Sequence, residues 1–426
     1  MGFFTAAEVK SKSRPEGKHH SCASCGLYKN AISPKLKESG NFKKDILNII
    51  TSPNIIEDKK GKLFQDISGK YLKKTYKQYG IDLEDDCLNI CSVNCLTVNK
   101  KGEYRKPTTN EISCCRSKVL QIIEKYKPKV IMLFGEEAVE STIGYRWKKG
   151  LGSIDKWRGF NIPDRDFKAY ICPVFSAEYV LSKEKYKEVE LIWEQDIERA
   201  FSFINKKFPS FPNEEKQVQV ITKRSEMKSC LSLLNLGCVW PDPNLLAVDI
   251  ECTGLKPYKK GHEIVCISFC ESPNRVSVIK MPKRKEDMLL LRKLLHNQNI
   301  GKIASNMKFE DTWFKVLHGI TVNNWSWDTM QAAHILDNRE LVSGLKFQAY
   351  INFGVIDYSS SVDSFLESGN KDANAFNKVK ELSKTKEGLH DLMLYCGLDS
   401  LFEYKLALLQ MEKIGFDPAK IVDRRN

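Results

Sequence analysis

The sequence predicts an α/β fold arranged in two domains. Short apolar runs typical of buried strands alternate with helical patterns along most of the chain, which indicates parallel sheets covered by helices. The chain has 426 residues, 42% of them hydrophobic, which is enough for two or three domains with real cores. FPSFPNEEKQ at 208–217 combines two prolines with a charged cluster and predicts a linker between the two halves.

The first half begins with a polar, basic stretch, so we predict a loose tail at 1–20 and a first domain at 21–207. Its strands are predicted at DILNII (45–50), KVIMLFG (129–135) and YICPVF (170–175). Its helices are predicted at 111–128, where Pro128 ends an amphipathic pattern, and at 190–208.

The second half repeats the alternation and predicts a second domain at 218–412, followed by a tail at 413–426. Its strands are predicted at VQVIT (218–222), LLAVDIE (245–251) and IVCISFC (264–270). Helices are predicted at 226–236, 287–297 and 390–415, and within 325–338, where Asp328 is a suitable N-cap.

The charge balance favours an anionic partner. Basic residues exceed acidic ones by 67 to 54, a formal charge of +13. Such a surplus is typical of nucleic-acid binding, although a lysine-rich solvated surface has the same composition. Aromatic and basic residues interleave in KKTYKQYG (73–80) and RWKKGLGSIDKWRG (146–159), a pattern suited either to a nucleic-acid backbone or to ordinary solvated surface.

How the 14 cysteines are interpreted depends on whether the protein lies in a reducing or an oxidising compartment. The start of the chain has no secretory pattern, and no apolar run approaches the roughly 18–20 residues of a membrane helix. We therefore expect a reducing compartment without membrane association, the cytoplasm, which is that of the host cell if a phage encodes the chain. In such a compartment clustered cysteines are expected to be metal ligands or reactive thiols, or small core residues, rather than disulfides.

Two carboxylates lie on the most apolar strand. Asp249 and Glu251 are at positions i and i+2, so their side chains project from one face. Burying both unpaired is costly, and a cation between them removes the cost, since Mg²⁺ prefers oxygen ligands. The alternative is a strand-end pair that faces water.

Two further segments add acidic and polar groups. SNMKFEDTWF places Asn306 four residues before Glu310. YCGLDSLFEY places Tyr395 and Asp399 at i and i+4 on one helical face. That spacing suits an aromatic hydroxyl beside a metal-bound carboxylate.

DIECTGL, NMKFE, WDTMQAAHILDN and YCGLD, in this order, resemble the 3′–5′ exonuclease domain of family A DNA polymerases, in the DEDD subclass with a tyrosine in the last motif. The resemblance covers about 216–412 and implies a ribonuclease H-like mixed sheet. It further implies a site in which four carboxylates hold two Mg²⁺ or Mn²⁺ ions and a tyrosine orients water. The carboxylates correspond to Asp249, Glu251, Glu310 and Asp399, and the tyrosine corresponds to Tyr395. Contacts to a DNA 3′ end fall on Asn306, Lys308, Phe309 and Thr253.

The chemistry of such a site needs no side-chain nucleophile, because two ions generate hydroxide and stabilise the leaving oxygen. One position departs from the family, which usually has aspartate where this chain has Glu310. The neighbouring Asp311 is an alternative ligand, but it points about 100° away on a helix. We favour Glu310.

Four cysteines in the first half are candidate ligands. Cys22 and Cys25 form a C-x-x-C, and Cys95 and Cys115 follow, with Cys114 as an alternative to Cys115. Four thiolates suit zinc or an iron–sulfur cluster.

CASCGLY, DILNIITSPNIIEDKKGKLFQDISGKYL, RKPTTNEISCC and PKVIMLFGEEAV are similar to segments of the iron–sulfur family of uracil-DNA glycosylases. This second resemblance covers about 20–205. It implies an α/β/α sandwich with a parallel sheet, a 4Fe-4S cluster on Cys22, Cys25, Cys95 and Cys115, and base stacking by Phe64. Zinc is the alternative occupant of the four thiols.

The residues that would excise a base are replaced. Thr51 stands where the family has a catalytic acid, Cys91 stands where it has the asparagine that reads uracil, and Ser176-Ala177 replaces the His-Pro motif. A flipped base needs hydrogen bonds and charge stabilisation, which these groups do not supply. We therefore predict a domain that has lost excision and binds DNA or a partner.

The combination resembles the front part of certain phage family A polymerases. It predicts a metal-dependent 3′–5′ DNA exonuclease that proofreads or trims single-stranded or frayed 3′ ends in phage-type replication. Because no polymerase domain follows before Asn426, the polymerase is expected to be a separate chain, or else this sequence is a fragment. The alternatives are a non-catalytic DNA-binding or processivity subunit and an active uracil-DNA glycosylase.

Overall fold

The computed structural model describes residues 21–147, 149–236 and 244–418. The predicted tail at 1–20 and most of the predicted tail at 413–426 lie outside these residues. Contacts divide the chain into two compact units, one of residues 1–210 with 350–356 and one of residues 211–349 with 357–426. The division falls inside the stretch predicted as a linker.

The first unit contains a five-stranded sheet with the order β2-β1-β3-β5-β4. Its strands are β1 (Ile46–Ile50), β2 (Cys87–Cys91), β3 (Val130–Phe134), β4 (Ile162–Asp164) and β5 (Ala169–Val174). All pairs are parallel except β4 with β5. The three strands predicted from apolar runs are confirmed, and they are buried almost throughout, as parallel strands between helices must be.

The helices of the first unit follow the alternation. They are α1 (Cys22–Cys25), α2 (Ile55–Lys60), α3 (Ile67–Gln78), α4 (Thr109–Tyr126), α5 (Glu136–Val139), α6 (Ile154–Trp157), α7 (Ala177–Ser182) and α8 (Lys187–Phe201), with a 3₁₀ turn at Leu27–Lys29 and a π turn at Glu140–Gly144. A capping box between Thr108 and Glu111 starts α4. Lys127 ends that helix at φ 50°, directly before Pro128, where the sequence predicted its end.

The second unit contains a six-stranded mixed sheet with the order β11-β10-β7-β8-β9-β6. Its strands are β6 (Val218–Ile221), β7 (Leu245–Cys252), β8 (Ile264–Ser272), β9 (Arg275–Lys280), β10 (Gly301–Ala304) and β11 (Trp325–Asp328). Strand β8 is antiparallel to both β7 and β9, and the other pairs are parallel. The mixed sheet implied by the exonuclease resemblance is thus present.

The helices of the second unit are α9 (Arg224–Asn235), α10 (Lys285–His296), α11 (Lys308–His318), α12 (Thr329–Leu336), α13 (Leu345–Phe353, whose last residues cluster with the first unit), α14 (Asp363–Leu366), α15 (Val379–Leu382) and α16 (Lys386–Ile414), after a 3₁₀ turn at Glu215–Gln217. In the described part of the chain, no helix is both long enough and apolar enough to span a bilayer.

The long helix α16 lies directly on the sheet of the second unit. A Cβ added at Gly397 would come within 2.4 Å of Val218 Cγ1 and 2.7 Å of Val278 Cγ2, so only glycine permits this approach. Ser268 Oγ donates to the carbonyl of Cys396 at 2.9 Å. The close packing sets the depth at which α16 presents its acidic face to β7.

Candidate active site

Three carboxylates meet where α16 crosses β7. Asp249 and Glu251 come from one face of the strand, and Asp399 comes from the helix. One ligand oxygen of each lies within 4.8 Å of the others. Glu251 and Asp399 are buried, whereas Asp249 is partly exposed. Three carboxylates this close repel one another unless protons or a cation intervene.

Glu310 lies beside Asp249, in the first turn of α11. It is buried, and its Oε2 has no hydrogen-bond partner among the described residues. The carboxylate of Asp311 instead accepts a hydrogen bond from Trp325 Nε1 at 3.3 Å. The geometry therefore supports Glu310 over Asp311 as the ligand, although Glu310 lies outside the 4.8 Å group.

The burial and the mutual repulsion of these groups shift their protonation. Burial, and then the charge of Asp399, raises the pKa of Asp249 well above its usual range. Burial and the charge of Asp249 do the same to the pKa of Glu251 and of Glu310. Without a cation, these carboxyls therefore retain protons at pH values where exposed carboxyls are ionised.

Three buried carboxylate oxygens in this region lack a hydrogen-bond partner among the described residues: Asp249 Oδ2, Glu310 Oε2 and Glu403 Oε2. An unsatisfied buried carboxylate oxygen is costly. Divalent cations such as Mg²⁺ bind oxygen donors of this kind, often through carboxylates. The donor set thus fits the divalent cations that a 3′–5′ exonuclease domain requires.

Two phenols flank Asp399. The hydroxyl of Tyr358 donates to Asp399 Oδ1 at 2.6 Å. The ring of Tyr395 stacks on that of Tyr358 with centroids 6.0 Å apart. Burial, and then the charge of Asp399, raises the pKa of Tyr395 well above its ordinary value, so its hydroxyl stays protonated at neutral pH. Lys346 Nζ lies 5.0 Å from the ring centre of Tyr395.

Replacing Tyr358 by phenylalanine is expected to lower kcat on DNA about tenfold, because a charge-assisted hydrogen bond that orients Asp399 is lost. The change would affect the position of the Asp399 carboxylate rather than the affinity for DNA, so KM for DNA should stay unchanged. The Mn²⁺ concentration that gives half-maximal rate should rise. Single-turnover kinetics with a Mn²⁺ titration would measure both. The exposed Tyr258, changed to phenylalanine, is the control. An unaltered kcat in the Tyr358 variant would contradict this role.

The turn between β10 and α11 is held by carboxylates. The backbone N–H groups of Asn306 and Met307 donate to the two oxygens of Asp328 at 3.0 and 3.1 Å. The N–H of Ser305 donates to Glu403 Oε1 at 3.0 Å. This turn, with Asn306 at φ 69°, aims the first turn of α11 and hence Glu310.

The residues predicted to contact DNA differ in their surroundings. Asn306 and Lys308 are exposed at the start of α11, and Phe309 is half-buried. Thr253 is fully buried, and its hydroxyl pairs with His262 Nδ1 at 3.0 Å. The hydroxyl of Thr253 is therefore already committed within the unit, while Asn306 and Lys308 are free to meet a ligand.

Sequence reasoning did not single out Tyr358 or Glu403. Glu403 follows Asp399 by one helical turn, a spacing that could have flagged it. Tyr358 lies in an irregular segment without a motif, and only the fold brings it to Asp399.

The first unit has a small cavity of about 20 Å³ at the carboxyl ends of β1 and β3. Thr51, Phe64, Ser176 and Ala177 are among the residues that line it. Thr51 Oγ1 donates to Glu137 Oε2 at 3.4 Å. Cys91 is buried at the end of β2 and is absent from the described lining.

Two carboxylates that sequence reasoning did not consider also line this cavity. Burial raises the pKa of Glu57 to about 7, and its carboxylate accepts hydrogen bonds from the N–H groups of Asn54 and Phe64. Glu178 accepts from Ser68 Oγ at 3.2 Å. The lining of this cavity therefore contains acidic groups beside Thr51.

The four predicted cysteine ligands come together in the first unit. Burial raises the pKa of Cys115 to about 12, with smaller contributions from negative charge on Cys25, Cys95 and Cys22. Cys114 instead contacts Ser24 Oγ at 3.6 Å. Among the described residues, only the acidic group has three ligand atoms within 4.8 Å of one another. In the part of the chain that the structure describes, no three of these sulfur atoms therefore lie within 4.8 Å of one another.

Comparisons with known families divide the chain in the same way. Residues 218–408 match the family model described as 3′-5′ exonuclease, of the family A DNA polymerase type. Residues 38–195 match the model of the uracil DNA glycosylase superfamily.

Individual proteins are similar to parts of this chain. A DNA polymerase of Bacillus phage SP01 is 26% identical over 370 residues, which cover 80% of this chain and 38% of the relative. The chain thus spans well under half of that protein. A type-4 uracil-DNA glycosylase of Archaeoglobus fulgidus is 24% identical over 199 residues, 45% of this chain and 92% of the relative. The exonuclease domain of Nibbler from Aedes aegypti aligns with a TM-score of 0.34 and 16% identity, covering 50% of this chain and 98% of that structure.

The fold, the acidic centre and the two family matches lead to one description of the molecule. Residues 38–195 are similar to the uracil DNA glycosylase superfamily, and residues 218–408 are similar to the 3′–5′ exonuclease family of the family A DNA polymerase type.

Proposed function

We propose that the chain is a metal-dependent 3′–5′ DNA exonuclease that removes nucleotides from single-stranded or frayed 3′ ends during phage-type DNA replication. The observation that carries the proposal is the convergence of Asp249, Glu251 and Asp399, with buried unpaired oxygens beside them, inside a region that matches a 3′–5′ exonuclease family.

The four carboxylates of the candidate site would form two cation sites, and Asp249 would belong to both. Asp249, Glu251 and Asp399 would hold one ion, and Asp249 with Glu310 would hold the other. When bound, two such ions supply a hydroxide nucleophile and stabilise the leaving 3′ oxygen. Tyr395, whose pKa is raised, keeps its proton and can donate a hydrogen bond to the attacking water.

The start of α11 is suited to holding the 3′ end. Lys308 is exposed and can pair with a phosphate, and Asn306 is exposed beside it. Phe309 is half-buried and its ring lies 6.0 Å from that of Trp313, so part of its face is available for a terminal base. These contacts would deliver the last phosphodiester to the carboxylates.

The glycosylase-like region is proposed to bind DNA or a partner protein and to have lost base excision. The support is that Thr51 and Ser176-Ala177 line its cavity in place of the family's catalytic groups. We further propose that Cys22, Cys25, Cys95 and Cys115 hold a 4Fe-4S cluster, since the first three lie close enough to Cys115 to influence its thiol electrostatically.

A working partner is proposed from the phage relative, whose name is DNA polymerase. This chain would supply exonuclease activity to a replication DNA polymerase. An active uracil-DNA glycosylase is the second candidate, because Glu57 and Glu178 line the cavity that contains Phe64. Release of free uracil from a uracil-containing strand would favour that candidate.

The experiment that tests the exonuclease compares single-stranded DNA labelled at either end, with Mg²⁺, for the wild type and the Asp249→Ala variant. Stepwise shortening from the 3′ end by the wild type alone is expected. The variant should fold, because it removes one of several repelling carboxylates, and thermal unfolding in EDTA would confirm this.

Each other outcome is informative. Degradation that persists in the Asp249 variant would place the nuclease elsewhere or in a contaminant. Absence of degradation with Mg²⁺ and with Mn²⁺, together with retained DNA binding, would replace the exonuclease by a non-catalytic replication subunit.

A further inference from the structure

Glu403 is a fifth acidic group at the candidate exonuclease site, and it is buried. It follows Asp399 by one turn of α16, so both side chains leave the same helical face. Only 1% of Glu403 is exposed. Its Oε1 accepts the hydrogen bond from Ser305 N–H, whereas its Oε2 is buried without a hydrogen-bond partner among the described residues.

The structural role of Glu403 uses only one of its two carboxylate oxygens. Holding the N–H of Ser305 needs one neutral acceptor oxygen, which a glutamine would supply. The carboxylate instead places a second, ionisable oxygen in the region of Asp249 and Glu310, the two acidic groups with the largest effect on it. Such an oxygen is costly unless a positive charge compensates.

We propose that Glu403 is a further cation-binding group of this site, whose Oε2 accepts hydrogen bonds from the water shell of the ion held by Asp249 and Glu310. The inference rests on the proposed exonuclease function and adds a ligand to it. An indirect contact fits the geometry, because Glu403 Oε1 already accepts the hydrogen bond from Ser305 N–H, which holds the side chain in place outside the group within 4.8 Å. Mg²⁺ usually keeps several of its waters, so outer carboxylates can contribute to its binding.

The additional carboxylate of Glu403 should affect whether the second cation site is occupied in the absence of DNA. With Glu403, five carboxylates surround two divalent ions, so negative charge is in excess before any DNA phosphate arrives. The second ion should then bind in the absence of DNA. Loss of the Glu403 charge should weaken that ion and leave the ion held by Asp249, Glu251 and Asp399 almost unaffected.

The test is a Mn²⁺ titration of the DNA-free protein, with free Mn²⁺ measured by electron paramagnetic resonance. The wild type is expected to bind two ions per chain. Glu403→Gln is expected to keep one ion at the wild-type affinity and to bind the second at least about tenfold more weakly. Glu412→Gln, at an exposed position of the same helix, is the matched control and should resemble the wild type.

Glutamine retains an oxygen for Ser305, so the turn should persist, and thermal unfolding in EDTA would check it. If Glu403→Gln does not fold, Glu403→Asp withdraws the charge by one methylene and should also weaken the second ion. Two ions bound by the folded variant with wild-type affinities would overturn the inference, as would a single ion in the wild type. A wild type that binds no Mn²⁺ would instead overturn the metal centre of the proposed function.

Discussion

Magnesium is expected to stabilise the exonuclease unit, and to do so more strongly at pH 8 than at pH 6. The reason lies in the protonation of the buried carboxyls. Without a cation, burial and mutual repulsion raise the pKa of Asp249, Glu251, Glu310 and Glu403. The folded unit then binds more protons than the unfolded chain, whose carboxyls titrate near pH 4.

The sign of the pH dependence follows from this difference. The stability associated with the protonated carboxyls is fully present below about pH 4 and is lost as the pH rises through the raised pKa values. Divalent cations bind only the ionised carboxylates, so their binding releases protons and strengthens with pH. Metal-free protein should therefore become less stable towards pH 8, and Mg²⁺ should reverse that loss.

The size of the effect can be estimated from binding linkage. A ligand present at 100 to 1,000 times its Kd adds about 3–4 kcal/mol to the free energy of unfolding. For a unit of roughly 200 residues this raises Tm by about 10 °C.

Calorimetry in EDTA and in MgCl₂ at pH 6, 7 and 8 would measure the shift. In Asp249→Asn, which lacks the carboxylate shared by both ions, the Mg²⁺-dependent shift should largely disappear. A shift of equal size at every pH, or an undiminished shift in the variant, would contradict the expectation.

Replacing Asp328 by alanine is expected to destabilise the exonuclease unit by about 3 kcal/mol. Asp328 is the N-cap of α12, where Oδ1 accepts from the N–H groups of Met330 and Gln331 at 3.0 and 3.2 Å. The same carboxylate holds the N–H groups of Asn306 and Met307. Loss of a cap costs about 1 kcal/mol, and the two donors left unsatisfied in this part-buried turn cost about 1–3 kcal/mol more.

The change should also reduce exonuclease activity, because the released turn no longer aims Glu310. Urea unfolding followed by tryptophan fluorescence would measure the stability. Thr385→Ala is the matched control, since Thr385 caps α16 by accepting one N–H, that of Gly388 at 3.0 Å, and holds no second segment. If the two variants lose equal stability, the contacts of Asp328 to the turn contribute nothing.

Much of the fold could be predicted from local patterns. The apolar runs that became β1, β3 and β7 are buried on both faces, and such strands are readable as continuous hydrophobic stretches. Asp328 was recognisable as an N-cap because capping is a local interaction. Its hold on the 306–307 turn was not recognisable, since that contact joins segments more than twenty residues apart.

In the candidate site, too, some residues could be predicted from local motifs and others only from contacts between distant segments. Asp249, Glu251 and Asp399 were named from motifs, and the structure brings their oxygens together. Glu310 was preferred to Asp311 from the sequence, and the hydrogen bond from Trp325 Nε1 to Asp311 supports that preference. Tyr358 and Glu403 needed the packing of α16 and the loop before it, and no sequence period encodes that packing. Glu57 and Glu178 in the other unit were missed for the same reason.

The placement of Asp399 on α16 has a consequence for protein synthesis. Roughly 150 residues separate Glu251 from Asp399, a stretch that a ribosome takes about 7–30 s to translate. Until α16 emerges, β7 presents two carboxylates on an uncovered sheet and the group of three does not exist. A nascent chain therefore cannot assemble the nuclease centre early, and premature termination anywhere before residue 399 would release a product without a complete set of carboxylates.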